Sequence, residues 1–259
     1  EHVTAFFELQ DRGEMKVKGK EIRISTYEVV GRREEIGRTR GLESGEVPLT
    51  GRDEAFETLK ENATALLRKR GRIVATIGHS GLGKSRLTRE LKSWLLSRND
   101  GADEADQVLW LEGQSLSFSE QMSYWLAIQV FQGALGLGQD ASPDDVLFVL
   151  WEKGEELLGK ETAREAMPFL AHLLGLELEG EWAKWVDELD PSVRQKQTFW
   201  AAREFFMALA RRQPVVIALD DLHWADEASL LLVQDLLSVT DHVPLMFCLI
   251  FRARRDKGC

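Results

Sequence analysis

Cysteine is scarce in this 259-residue chain, which has two. Cys248 in an apolar run and Cys259 at the last position cannot build a disulfide framework, so a reducing, cytoplasmic setting is expected. Long apolar runs are missing as well. The longest fall well short of the ~20 residues a spanning helix needs, so no membrane span is expected. Basic excess is also absent: 33 Lys and Arg stand against 43 Asp and Glu, a formal net charge of −10. That balance does not suit a nucleic-acid surface, which needs a basic face to meet the phosphate backbone. It leaves room for a local positive site that holds a single nucleotide. No basic and apolar leader follows Glu1-His2, and there is no initiator Met, so the chain is expected to be a piece of something longer. What remains is an ordinary globular balance, 44% hydrophobic and 29% charged, with length enough for one large domain or two small ones.

Hydropathy divides the chain. Residues 1–31 alternate: Ala5–Leu9 is a short apolar run, Asp11-Arg12-Gly13 is a turn signal, and Lys18-Gly19-Lys20 is another. Ile22, Ile24, Thr26 and Glu28 share one face of a run whose other face carries Arg23, Ser25, Tyr27 and Val29. Short strands joined by tight turns are expected here, too few to be stable alone. Residues 32–46 are charged and nearly free of apolar side chains, and predict a flexible linker.

From about Val47 the pattern becomes an alternation of helices and strands. Glu54–Lys69, Lys84–Leu96, Glu120–Leu135, Asp144–Leu158, Thr162–Leu174, Ser192–Arg212 and Ala228–Leu237 carry helical periodicity. Arg72–Ile77, Val108–Leu111, Val215–Leu219 and Leu245–Phe251 are apolar, β-rich runs. Continuous apolar strands between helices predict an α/β fold with a parallel sheet covered on both faces. The helical stretch from about 119 to 212 is an insertion between two strands. The tryptophans, Trp182 and Trp185 among them, sit at helical spacing with other apolar residues and are expected to pack in the core.

Gly78-His79-Ser80-Gly81-Leu82-Gly83-Lys84-Ser85 fits G-x-x-x-x-G-K-[ST], with a strand before it and a helix after. This is the phosphate-binding loop of a P-loop NTPase. Glycines let the backbone curl so that its N–H groups face phosphate oxygens, and the helix adds the positive end of its dipole. Lys84 should reach the β- and γ-phosphates, and Ser85 should place its hydroxyl on Mg²⁺. The plain alternative is a Gly-rich turn that merely starts a helix.

Val215–Leu219 ends in Asp220-Asp221. Ligands of open α/β sheets bind at the carboxyl ends of strands. Asp220 would hold Mg²⁺ through water, and Asp221 would orient and deprotonate an attacking water. Alternatively, both acids cap the strand and solvate a loop. Arg252 directly follows Leu245–Phe251, where a guanidinium can touch a γ-phosphate; otherwise it belongs to a solvated basic cluster with Arg254 and Arg255. Asp226 is placed as a helix N-cap with Glu227 in the first turn. His223 is open to two readings, a base or an ordinary loop or core residue.

Pro48-Leu49-Thr50-Gly51-Arg52-Asp53-Glu54, the Gly78–Ser85 loop, the string Pro214 to Ser229 (PVVIALDDLHWADEAS) and the strand ending at Arg252 together resemble the STAND class of AAA-related ATPases, over about residues 47–259. The resemblance implies an ATP-driven conformational switch in a signalling protein. It implies that Gly51 and Arg52 lie near adenine and ribose, that Lys84 and Ser85 bind phosphate and magnesium, that Asp220 and Asp221 are the Walker-B pair, and that Arg252 is a sensor arginine. The family pattern continues with a further strand, a helical lid and usually a winged helix, which this chain does not reach. An exposed edge on the strand before the loop is therefore expected. Met15–Lys20 followed by Thr26–Val29 resembles the C-terminal end of a class III nucleotide cyclase domain, in which the lysine at Lys18 contacts the substrate triphosphate. The metal-binding acids and most of that fold are missing, so no cyclase activity is expected of this chain.

Three functions are consistent with these features. One is a Mg²⁺-dependent ATPase module in a signalling protein, with an upstream cyclase domain as its partner in cis. Another is a non-hydrolysing, nucleotide-gated scaffold that holds ATP or ADP and presents residues 119–212 to a protein partner. The third is a regulatory region of a protein whose output is cAMP. No guanine-reading N-K-x-D is present, and adenine follows from the resemblance alone.

Overall fold

The computed structural model describes residues 7–15, 24–32, 51–117, 119, 122–138 and 140–252. The chain divides into two units, residues 1–48 and 49–259.

In the first unit, β1 (Phe7–Met15) and β2 (Ile24–Arg32) pair antiparallel. The turn expected at Asp11-Arg12-Gly13 is instead an irregularity inside one strand. The register shifts between Asp11 and Glu14, and Gly13 takes φ 79°. An extra residue in a left-handed conformation is what a bulge needs, and glycine supplies it at little steric cost. On the exposed surface, Arg12 donates to Glu28 across the pair. The turn expected at Lys18-Gly19-Lys20 lies outside the described residues, as does the linker expected at 32–46 apart from Arg32, which is the last residue of β2.

The second unit is an α/β fold. Its parallel sheet runs in the order β3-β6-β5-β4, formed by β3 (Arg72–Ile77), β4 (Leu109–Gln114), β5 (Val215–Asp220) and β6 (Leu245–Phe251). Val215 to Leu219 are buried without a break, as expected of a strand covered on both faces. One face packs on α1 (Asp53–Leu67) and α2 (Lys84–Leu96), whose Leu59, Leu66, Leu87, Leu91 and Leu95 meet Val216, Ala218, Met246 and Cys248. The other face carries Val215, Ile217, Leu219, Leu245 and Phe247, set against α3 (Trp125–Leu135), α4 (Pro143–Leu173), α6 (Pro191–Arg212) and α7 (Glu227–Leu237). Phe131, Phe205 and Phe206 form the aromatic centre of that layer, with ring centroids 4.8–5.5 Å apart.

β3 lies at the edge of this sheet, among the described residues. Its side chains alternate between half-buried and exposed, and Ile73 and Ile77 are 46% and 55% exposed.

The insertion differs from its sequence pattern in three places. α3 begins at Trp125, after a left-handed Tyr124 at φ 61°, rather than at Glu120. The two helices expected at 144–158 and 162–174 are the arms of α4, broken at Gly159 (φ 77°, ψ 162°). A Cβ placed on Gly154 would lie 2.2 Å from Met167 Sδ. Thirteen residues of straight helix would span about 20 Å, so the two arms fold back on each other at Gly159. A short helix, α5 (Gly180–Asp187), was not expected. It carries Trp182, which is half-buried, and Trp185, which is 39% exposed. They sit at the rim of the core, stacked on the half-buried Trp151 and the fully buried Phe169 at centroid separations of 4.9–5.9 Å.

Candidate functional site

Every site residue expected in the second unit falls at one end of this sheet. The loop from Gly78 to Gly83 joins β3 to α2, and α2 starts at Lys84. Gly81 and Gly83 have φ 81° and 78°, and a Cβ on either would touch nothing within 4 Å. The glycines thus serve a left-handed backbone path rather than a close approach of neighbouring atoms. His79 to Gly83 are exposed, as is Ser85. Lys84 Nζ folds back over the loop and donates to the carbonyls of Gly78 at 3.0 Å and His79 at 2.9 Å. It has no carboxylate partner among the described residues. A lysine held by two neutral carbonyls keeps a full charge available to an anion.

Arg52 joins this loop from the other side. It is the residue before α1, and its Nη2 donates to the carbonyl of Leu82 at 3.0 Å. Gly51, immediately before it, has φ 71°.

The opposite wall comes from the strands. β6 neighbours β3 with Phe251 opposite Ile77, and the N–H of Gly78 donates to the carbonyl of Phe251 at 3.4 Å. Arg252 therefore leaves the sheet beside the first residue of the loop. β5 lies one strand further, so Asp220 and Asp221 stand across two strand spacings from Gly78, about 9–10 Å. The backbone N–H of Asp221 donates to Asp220 Oδ1 at 2.8 Å, which fixes the first carboxylate against its neighbour. Asp221 takes φ 54°, a left-handed conformation that is uncommon outside glycine, although Asp and Asn tolerate it. The N–H of Ser115, just past β4, donates to the carbonyl of Asp220 at 3.1 Å.

A tight turn at Leu222–Trp224 then leads to α7. His223 sits on this turn, with Nδ1 3.8 Å from Asp221 Oδ1. Burial lowers its pKa, opposed by Asp221 and Asp220 and assisted by Arg252 and Lys84. One imidazole thus lies within electrostatic reach of the loop lysine, both acids and the strand-end arginine. Asp226 caps α7 as expected, accepting from Ser229 N at 2.8 Å. The sequence did not indicate its second role. The same Oδ1 accepts from Tyr124 N at 2.9 Å, tying the segment after the acids to the start of α3.

The residues present fit a nucleoside triphosphate with Mg²⁺. The loop is exposed and rich in N–H groups, Lys84 folds back over it, and Ser85 and Asp220 lie at the same end of the sheet. Among the described residues no group of three or more His, Cys, Asp or Glu is placed to hold a metal by itself. No helix among the described residues is long and apolar enough to cross a membrane.

The model of the family described as "AAA ATPase domain" matches residues 48–250. No curated protein matches the chain.

Proposed function

The chain belongs to the AAA ATPase domain family, and from that premise we propose that its second unit is a Mg²⁺-dependent ATPase module. The observation that carries this is the placement of Lys84, whose Nζ donates to the Gly78 and His79 carbonyls, and of the Asp220–Asp221 pair at the same end of one parallel sheet.

In this reading the backbone from Gly78 to Ser85 cradles the phosphates, and Lys84 holds the β- and γ-phosphates. Ser85 and Asp220 hold Mg²⁺, which when bound neutralises charge on the phosphate oxygens. Gly51 and Arg52 lie toward the base and ribose, and the Arg52–Leu82 bond supports that placement. Asp221 accepts a proton from water as the water oxygen bonds to the γ-phosphorus. The bond from that phosphorus to the β–γ bridging oxygen breaks, and its electron pair leaves with ADP. Lys84 and Arg252 stabilise the charge on the transferred group.

Titration with ATP, ADP and GTP in Mg²⁺, followed by phosphate release, tests this. Lys84→Ala should abolish nucleotide binding. Asp221→Asn should bind as wild type and lose turnover by about 10²–10⁴-fold. Wild-type affinity in the Lys84 variant would refute the site.

A second reading, a nucleotide-gated scaffold in a STAND-like signalling protein, is favoured by the Tyr124–Asp226 bond. That bond gives the acid-bearing segment a direct hold on the 119–212 insertion, the surface a protein partner would read. Absence of phosphate release above the Lys84→Ala background would select it. We further infer, from the resemblance of residues 1–31 to the end of a class III cyclase domain, that the module works in cis with a nucleotide cyclase in the cytoplasm. Two metal-binding Asp residues in a cyclase fold upstream of Glu1 in the parent reading frame would support this.

A further inference from the structure

Among the described residues, five buried side-chain nitrogen or oxygen atoms have no hydrogen-bond partner: Ser115 Oγ, Asp226 Oδ2, Ser229 Oγ and both ring nitrogens of His223. All belong either to the residue after β4 or to the stretch 223–229 that follows the acid pair. An unpartnered buried polar atom costs about 1–3 kcal/mol. Each such group calls for an explanation, and a catalytic role is one of those that recur.

His223 is the extreme case, since neither ring nitrogen is satisfied. It packs beside Trp224, with ring centroids 5.2 Å apart, yet the nearest group of opposite character is the carboxylate of Asp221. At 3.8 Å the Nδ1···Oδ1 approach is too long for a hydrogen bond. A closure of about 1 Å would make one, and contacts of this kind tighten in the loaded site. Asp221 is already held in a left-handed backbone conformation at φ 54°. Backbone strain of that sort gathers at sites that switch.

We propose that His223 is a positioning residue for Asp221. When nucleotide binds, its Nδ1–H donates to Asp221 Oδ1, and the carboxylate then presents only its other oxygen to the attacking water. A lone carboxylate rotates and offers either oxygen in many orientations. A base oriented by a third group acts from one geometry. The neutral ring has one N–H to give, and burial together with Arg252 and Lys84 favours that neutral form. Nε2 is then left as an acceptor. The inference rests on the ATPase reading for its consequence, but the His223–Asp221 pair can be read without turnover.

The test uses the full chain with His223→Asn, His223→Gln and His223→Ala. The amide nitrogen of Asn stands where Nδ1 stands, and that of Gln where Nε2 stands. His223→Asn should keep kcat within about threefold of wild type. His223→Gln and His223→Ala should lower kcat by about 10–100-fold, toward the scale of a lost general base, with the ATP Kd unchanged. In ¹⁵N-edited spectra of the wild type with Mg²⁺ and a non-hydrolysable ATP analogue, His223 should carry its proton on Nδ1. Asp221→Ala should return it to Nε2. A wild-type ring protonated on Nε2 irrespective of Asp221 would overturn the proposal, as would His223→Asn behaving like His223→Ala, or Kd and kcat worsening together. A tautomer that responds to Asp221 in a chain that releases no phosphate would leave the pair standing and remove the ATPase reading instead.

Discussion

The backbone N–H of Tyr124 donates at 2.9 Å to Oδ1 of Asp226, a residue 102 positions away. Asp226 is 5% exposed, and the same oxygen caps α7 through Ser229 N. Burial holds the Tyr124 phenol above its ordinary pKa. One carboxylate oxygen therefore joins α7 to the start of α3.

Asp226→Ala should remove the cap, at about 0.5–2 kcal/mol, and leave the Tyr124 N–H unpaired, at about 1–3 kcal/mol. A total of about 1.5–5 kcal/mol is expected from urea unfolding. Asp226→Asn keeps an acceptor oxygen and should cost about 1 kcal/mol. If the scaffold reading holds, proteolysis of the insertion should also become insensitive to nucleotide in Asp226→Ala. Nucleotide-dependent protection equal to wild type would show that the bond is structural only.

Arg252 leaves β6 beside Gly78, whose N–H bonds to the Phe251 carbonyl. If its guanidinium meets the γ-phosphate, Arg252→Ala should weaken ATP by about tenfold or more, the scale of a charge-assisted hydrogen bond. ADP should change by less than about threefold, because it lacks the group being sensed. Calorimetric titration of both nucleotides checks this. Equal losses for ATP and ADP would place Arg252 on the α- or β-phosphate or in general structure.

Much of this arrangement is legible in the sequence, and the limits have physical causes. Val215–Leu219 and Leu245–Phe251 are continuous apolar runs, so their burial in a parallel sheet follows from composition. The Gly78–Ser85 spacing places lysine and serine at a helix start, and α2 begins at Lys84. Asp11-Arg12-Gly13 resembles a turn in sequence because glycine serves a bulge as readily as a turn, and only the pairing partner distinguishes them. Trp182 and Trp185 have core-like spacing, but the short α5 sets them at the rim of the core, stacked on Trp151 and the buried Phe169. His223 resisted assignment because its informative property is two nitrogens without partners. Partners belong to the tertiary structure, not to the residue type.

Cys248 is a free thiol buried among Met246, Val216 and Ala218, and burial pushes its pKa up to about 12. An unfolded thiol ionises near pH ~8.5. In a Cys259→Ser chain at pH 8, thiol labelling should thus be slow and should track unfolding rather than reagent concentration. The sign of the pH dependence follows from linkage. The folded pKa lies above the unfolded one, so this group's contribution is complete below pH ~8.5 and is lost as pH rises toward 12. Cys248→Ala should flatten that alkaline decline, which unfolding curves between pH 7.5 and 10 would measure; an unchanged slope would assign the decline to other groups.

Gly159 permits the reversal of α4. Its φ of 77° and ψ of 162° lie in a region that is nearly exclusive to glycine. The space around it is open, with nothing within 4 Å of a Cβ, so a substitution meets backbone strain and no clash. Gly159→Ala should therefore cost about 1–3 kcal/mol. Relief by straightening is blocked, because it would separate Gly154 from Met167, which touch across the reversal. It would also carry Trp151 away from Trp182 on α5, now 5.9 Å apart. Two measurements separate the outcomes. Loss of urea stability with unchanged tryptophan emission means that the hairpin persists under strain. A red-shifted emission at unchanged stability would mean that the arms have opened, and that the contacts across Gly159 contribute less than the strain they impose.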